Sequence, residues 1–181
     1  MTYVPWPCFC TISPIVTLCA SCASHLKNTI PGLVENIADN QAIAFADKII
    51  SFSEFMNKVV GLNKIKKTKT IKKIAWHSPC HLCRGLGIKE EPINLIKKSG
   101  HKYIKTEEEE TCCGFGGSFS ANFPLVSKEI LSKKLEDVEQ SGAESLVSEC
   151  PGCVMQVKGG ALKQNKSFDV IHLSELISEQ P

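Results

Sequence analysis

The stretch Ser145-Leu146-Val147-Ser148-Glu149-Cys150-Pro151-Gly152-Cys153 places a short apolar run, a CxxC pair and a proline within nine residues. It reads as a strand at Ser145 to Ser148 that delivers Cys150 to the start of a helix at Pro151. Proline suits the first helical turn, where its missing N–H has no partner to lose. A thiol placed there faces the positive end of the helix dipole, which favours thiolate. Strand followed by helix is the repeating unit of a parallel sheet, and in such sheets ligands bind beyond the carboxyl ends of the strands.

Outward from this stretch the same alternation continues. Ile71 to His77 reads as a strand ended by Ser78-Pro79, Glu91 to Ser99 as a helix ended by Gly100, and His101 to Lys105 as a short strand. From Pro124, apolar Val126, Ile130, Leu131, Leu135 and Val138 recur at helical spacing until Gly142. After the Pro151 helix come a strand at Phe168 to Ile171 and a helix from Ser174. The expected fold is α/β, a parallel sheet with flanking helices.

Five cysteines fit that topology. Thirty-one residues separate Cys80 from the adjacent pair Cys112-Cys113, and thirty-six separate the pair from Cys150, with Cys153 closing the CxxC. Cys80, the pair and Cys150 each follow an expected strand, so distant segments converge on one edge and read as a metal or iron-sulfur site. Neighbouring side chains on extended backbone point to opposite sides, which argues against two adjacent ligands unless the chain turns. Gly114-Phe115-Gly116-Gly117 supplies the turn, with glycines able to take positive φ and aim N–H groups at an anionic site. Arg84 is placed to add positive charge.

Other readings of these residues remain open. Cys80, Cys83, Cys150 and Cys153 supply the two CxxC pairs of a structural zinc site, although zinc leaves the vicinal pair unexplained. A thioredoxin-like use of Cys150 and Cys153 ignores three cysteines, and all five as inert core residues is a further reading. The bacterial ferredoxin run is absent. His77 and His81, flanking Cys80, read as packing groups behind the ligands. Neither a Ser-His-Asp set, a P-loop nor a complete dinucleotide fingerprint is present.

Composition narrows the class. Ten cysteines in 181 residues indicate either a secreted disulfide scaffold or intracellular metal or redox chemistry. Pro5, Pro7 and Pro14 interrupt the apolar N-terminus and no Lys or Arg precedes it, so a cytoplasmic chain with reduced thiols is expected. No run reaches the about eighteen apolar residues of a transmembrane helix. A net charge of +2 gives no reason to expect nucleic acid as a partner. The lysines at 64, 66, 67, 69, 72 and 73 read as a solvated linker, and Glu107 to Glu110 as a solvated loop, either also fitting a docking role.

An internal repeat is legible. Ile15-Val16-Thr17-Leu18-Cys19-Ala20-Ser21-Cys22 aligns with Leu146 to Cys153, and Ile49-Ile50-Ser51-Phe52-Ser53-Glu54-Phe55 with Val170 to Leu176. The expected organisation is an incomplete first repeat over residues 1–62, a Lys-rich linker over 63–70 and a complete cysteine-rich repeat over 71–181. Cys19 and Cys22 are then the remnant of a second site. Cys8 and Cys10 lack the spacing to extend it, and Met1 to Ser13 is expected to be poorly ordered.

The pattern C-x31-CCG-x36-CxxC resembles the cysteine-rich CCG domain family. That family includes the disulfide-reducing subunit of heterodisulfide reductase, the iron-sulfur subunits of glycolate and lactate dehydrogenases and an anaerobic glycerol-3-phosphate dehydrogenase subunit. The stretch from Cys112 to Ser120 resembles the lactate-utilisation and FAD-linked oxidase relatives most. The resemblance implies that Cys80, Cys112, Cys113, Cys150 and Cys153 hold a [4Fe-4S] cluster, noncubane in the heterodisulfide reductase branch, where disulfide reduction occurs. In the hydroxyacid dehydrogenase branch it implies electrons received from a flavoprotein subunit and passed, through a ferredoxin-like iron-sulfur protein, toward a membrane complex. The leading expectation is the second; disulfide reduction and a zinc-stabilised interaction module are the alternatives.

Overall fold

The computed structural model describes residues 13–34 and 39–178. Cys8, Cys10 and the expectation for the N-terminal segment up to residue 12 lie outside them.

Short apolar and β-branched runs form the strands. In chain order the elements are β1 (Ile15–Thr17), α1 (Ala20–Asn28), α2 (Ile30–Leu33), α3 (Asp39–Lys48), β2 (Ile49–Ser51) and α4 (Phe52–Phe55). A π-helical turn (Met56–Gly61) and a 3-10 turn (Leu62–Lys64) lead into β3 (Lys73–Trp76). A second π-helical turn (His81–Gly85), α5 (Glu90–Lys98), β4 (Lys102–Ile104), α6 (Ser118–Asn122) and α7 (Pro124–Gln140) follow. The chain ends in β5 (Ser145–Ser148), α8 (Pro151–Lys163), β6 (Asp169–His172) and α9 (Leu173–Ser178).

Four strands form one parallel sheet in the order β4-β3-β5-β6. All of β5 and the residues Ile74, Ala75 and Trp76 of β3 are buried, as central parallel strands covered on both faces must be. Helix α7 packs on α8 and α5 on α9. The core joins Trp76, Leu95 and Ile96 to Leu135, Leu146 and Val157. From β3 the chain moves outward to β4, then crosses back to β5 on the other side of β3. The order therefore reverses between β3 and β5, and Cys80 and Cys150 follow those two strands. This is the crevice that an open α/β sheet offers a ligand.

β1 and β2 form a separate parallel pair. Its register, Ile15↔Ile49, Val16↔Ile50 and Thr17↔Ser51, joins the same residues that the internal alignment places over Leu146↔Val170, Val147↔Ile171 and Ser148↔His172. The two caps have similar backbone: Cys19 caps α1 at φ −134°, ψ 108°, and Cys150 caps α8 at φ −138°, ψ 111°.

Expected elements shift by a few residues. β3 starts at Lys73 rather than Ile71, which is 69% exposed, although His77 N–H still donates to Val147 C=O at 2.9 Å beyond its end. The loop of Glu107 to Glu110 is not wholly solvated. Glu109 is buried and accepts a hydrogen bond from Tyr103 Oη. Asp137 accepts from the Glu107 and Glu108 amides and so fastens that loop to α7. No helix among the described residues is long and apolar enough to cross a membrane.

Candidate metal centre

Three segments bring the cysteines together. Cys80 opens the π-helical turn after β3, Cys112 and Cys113 lie in the loop between β4 and α6, and Cys150 and Cys153 occupy the start of α8. Ser78 N–H donates to Glu109 C=O at 3.0 Å, tying the loop that carries the vicinal pair to the end of β3. All five sulfurs line one cavity of about 370 Å³, walled also by Ser21, His77, His81, Phe115 and the glycines at 116, 117 and 152. Cys113, Cys150 and Cys153 are buried, and Cys80 and Cys112 are half-buried.

Glycine geometry makes the vicinal pair usable. Gly114 has φ +81°, and a Cβ there would meet Ser127 C=O at 2.7 Å. That close approach lets Gly114 N–H donate to Cys112 Sγ at 3.3 Å while Ser127 Oγ donates to Gly114 C=O at 2.7 Å. The positive φ turns the chain immediately after the vicinal pair, as a glycine in the left-handed region can.

The thiols share protons. Hydrogen bonds from Cys112 and then Cys153 hold Cys113 far below its ordinary value against the opposing effect of burial. Cys112 and Cys153, the donors, are pushed up. Cys150 is lowered to about 5, chiefly by Cys153, with further help from the Cys153 and Gly152 amides and the Ser21 hydroxyl. Two sulfurs are thus set up as anions by their neighbours and by the start of a helix.

Cys83 is buried outside the cavity, its Sγ 3.9 Å from Cys80 C=O. This takes one member out of the four-thiolate zinc set. Arg84 is exposed and donates to Glu110 C=O at 3.3 Å, also outside the cavity. His81 sits at the rim, Nδ1 3.7 Å from Cys80 Sγ. Cys19 and Cys22 do not line the cavity. Cys19 Sγ accepts from Cys22 N–H at 3.5 Å, and Ser21 Oγ lies 3.2 Å from Cys19 Sγ and 3.8 Å from Cys150 Sγ. A residue of the first half therefore reaches the five-cysteine site.

Sequence reasoning missed Ser21, Phe115 and two buried charges. Lys134 on α7 is 2% exposed and donates to Glu108 C=O; burial lowers its pKa, while the negative charges of Cys113, Glu108 and Asp137 oppose that. Glu149 is fully buried, and burial raises its carboxyl to about 7 despite hydrogen bonds from Ser53 and Ser51. Only the alignment of Ser21 with Gly152 offered a signal, by placing it inside the other CxxC.

This donor set fits an iron-sulfur group. A lone tetrahedral metal takes four donors at ~2.3 Å for sulfur, whereas here five thiols surround a wider cavity. One wall holds His77, 1% exposed, with neither ring nitrogen in a well-aligned hydrogen bond. His77, Cys113 and Cys153 offer ligand atoms all within 4.8 Å of one another.

Known proteins share this pattern. The family model of the CCG cysteine-rich domain matches residues 74–158. Lactate utilization protein A 2 of Bacillus cereus (strain Q1) is 31% identical over 168 residues, covering 91% of this chain and 69% of the relative. The chain belongs to the CCG cysteine-rich domain family, together with lactate utilization protein A. Lactate utilization protein A 1 of Bacillus anthracis (strain CDC 684 / NRRL 3495) is 30% identical over the same shares. Lactate utilization protein A of Geobacillus sp. (strain WCH70) is 30% identical over 169 residues, 92% of this chain and 70% of the relative. The stretch matched by the CCG model runs from β3 into α8 and contains all five cavity cysteines.

Proposed function

We propose that this chain is an iron-sulfur subunit of a 2-hydroxyacid oxidation system of the lactate or glycolate type. In it, Cys80, Cys112, Cys113, Cys150 and Cys153 hold a [4Fe-4S] cluster. The observation that carries the reading is the convergence of these five thiols on one cavity at the strand reversal. The name that the relatives share, lactate utilization protein A, supports the substrate class. When bound, such a cluster supplies one-electron transfer.

The chain's own residues confine and orient that group. Gly114 turns the vicinal pair, the start of α8 favours thiolate at Cys150, and the cavity's half-buried side at Cys80 and Cys112 is where electrons enter or leave. Substrate oxidation occurs on a separate flavoprotein subunit, and a ferredoxin-like iron-sulfur protein carries the electrons onward. The chain works in the cytoplasm, docked at the cytoplasmic face of a membrane complex. The shared strand register and cap geometry support a tandem organisation, with residues 71–181 as one CCG repeat and residues 1–62 related to its later part across the 63–70 linker.

Anaerobic purification followed by iron, acid-labile sulfide and zinc analysis tests the cofactor. Iron and sulfide in about fourfold amounts per chain are expected from the cluster stoichiometry. One zinc without sulfide overturns the reading in favour of a structural metal site. Stopped-flow mixing with a reduced flavoprotein lactate oxidoreductase should bleach the cluster absorbance; an unreduced cluster would refute the proposed electron donor.

A further inference from the structure

We propose that His77 donates a hydrogen bond from its imidazole N–H to the Cys113 sulfur and so sets the reduction potential of the group held there, without ligating iron. The inference rests on the iron-sulfur reading above. It goes further by giving a task to a side chain outside the thiol set.

His77 cannot easily move away from the sulfurs. Its amide donates to Val147 C=O at 2.9 Å, which extends the β3–β5 pairing one bond past the strand and locks the backbone beside the cavity. The ring is 1% exposed, so bulk water does not reach it, and neither nitrogen has a well-aligned hydrogen-bond partner, although the Cys113 thiol lies close enough to interact with it. Leaving a ring N–H buried and unmade is costly, and something in the cavity must accept from it. The sulfurs of Cys113 and Cys153 lie within 4.8 Å of a ring nitrogen.

Cys113 has the stronger claim. It is the least exposed of the five thiols, at 2%. The half-buried Cys112 receives Gly114 N–H, and Cys150 has the Ser21 hydroxyl beside it. Iron prefers the soft thiolates, five of which already surround the cavity, so a nitrogen ligand is not needed to complete its coordination. Hydrogen bonds to cluster sulfurs are a recognised lever on potential, because they favour the reduced, more negative state.

The test is an anaerobic redox titration of the full-length chain, monitored by EPR, for wild type, His77→Ala and His77→Gln, each with its iron and sulfide content. Equal iron and sulfide are expected in all three. The midpoint potential should shift negative in His77→Ala and return most of the way in His77→Gln, whose amide still donates. Unchanged potentials at equal iron content overturn the proposal and leave the iron-sulfur reading standing. Loss of iron from both folded variants makes His77 a ligand and also overturns it. Absence of sulfide from the wild type removes the reading underneath, a failure seen without any substitution. Should His77→Ala not fold, pulsed EPR of the wild type labelled with 15N-histidine decides. Weak nitrogen coupling that disappears in His77→Gln is expected, whereas strong metal-nitrogen coupling, or none, refutes the assignment.

Discussion

Cys113 and Cys83 show how two residues of the same type differ by position. Both are buried, but Cys113 faces the shared cavity while Cys83 lies outside it beside the Cys80 carbonyl. Cys113→Ser should therefore lose most of the cluster absorbance of anaerobically prepared protein, and Cys83→Ser should keep it. Similar losses in the two would mean that the ligand set is drawn wrongly. Spacing made the five cavity cysteines legible, since a vicinal pair and a CxxC are visible in the letters. Nothing comparable marks Glu109, which sits in a run of four glutamates yet is buried against Tyr103. Burial raises its carboxyl above the ordinary value, with the Tyr103 hydrogen bond and nearby Lys105 opposing. Folded protein then holds a proton that unfolded chain has released. Its contribution to stability is full below the unfolded pKa of about 4.3 and is lost as pH rises through the folded value. Denaturant titrations across that window should show stability falling with pH, and Glu109→Gln should flatten the slope; an unaltered slope rejects the assignment.

At the scale of elements, the long helices were readable because their apolar periods run long enough to count, and the strands because short apolar runs stop at turn residues. β5 matches the expected Ser145 to Ser148, and α7 runs from Pro124 to Gln140, two residues short of the expected stop at Gly142. α6 and the π-helical turn at His81–Gly85 are only five residues each, too short for a period to declare itself, and both border the site. Between them in the fold lies the loop whose shape depends on Gly114. A Cβ at this position meets a backbone oxygen at 2.7 Å, and φ is +81°, so neither a rotamer change nor a small shift of a side chain relieves it. Gly114→Ala should cost about 1–3 kcal/mol of stability and disturb both vicinal thiols. Thermal melts and iron content report the two effects separately. A variant as stable as wild type and fully loaded with iron would show that the loop has a second acceptable path.

For the whole molecule, the likeness of the two CxxC segments was legible in the sequence, but the way the two halves interlock was not, because that depends on which atoms meet at strand ends. Glu149, at the end of β5, is where they meet. Its carbonyl accepts from Ala20 N–H at 3.0 Å, and its Oε1 accepts from Ser53 N–H at 3.1 Å at the start of α4. Asn28 Nδ2 donates to Gly85 C=O at 2.8 Å, and Asn57 Nδ2 to Glu91 C=O at 2.9 Å, so polar contacts from α1 and the Met56–Gly61 turn also bridge the halves. The first half thus holds both the backbone beside Cys150 and, through Ser21, its sulfur. Such coupling predicts one cooperative unfolding transition for the chain rather than two. Glu149→Ala should lower the midpoint of that single transition by removing a buried acceptor and leaving the Ser53 amide unpaired, a cost of about 1–3 kcal/mol. Calorimetry of wild type and variant, both without metal, measures this directly. Two resolved transitions in the wild type would mean that the halves fold independently, and an unchanged melting temperature in the variant would mean that Glu149 does not join them.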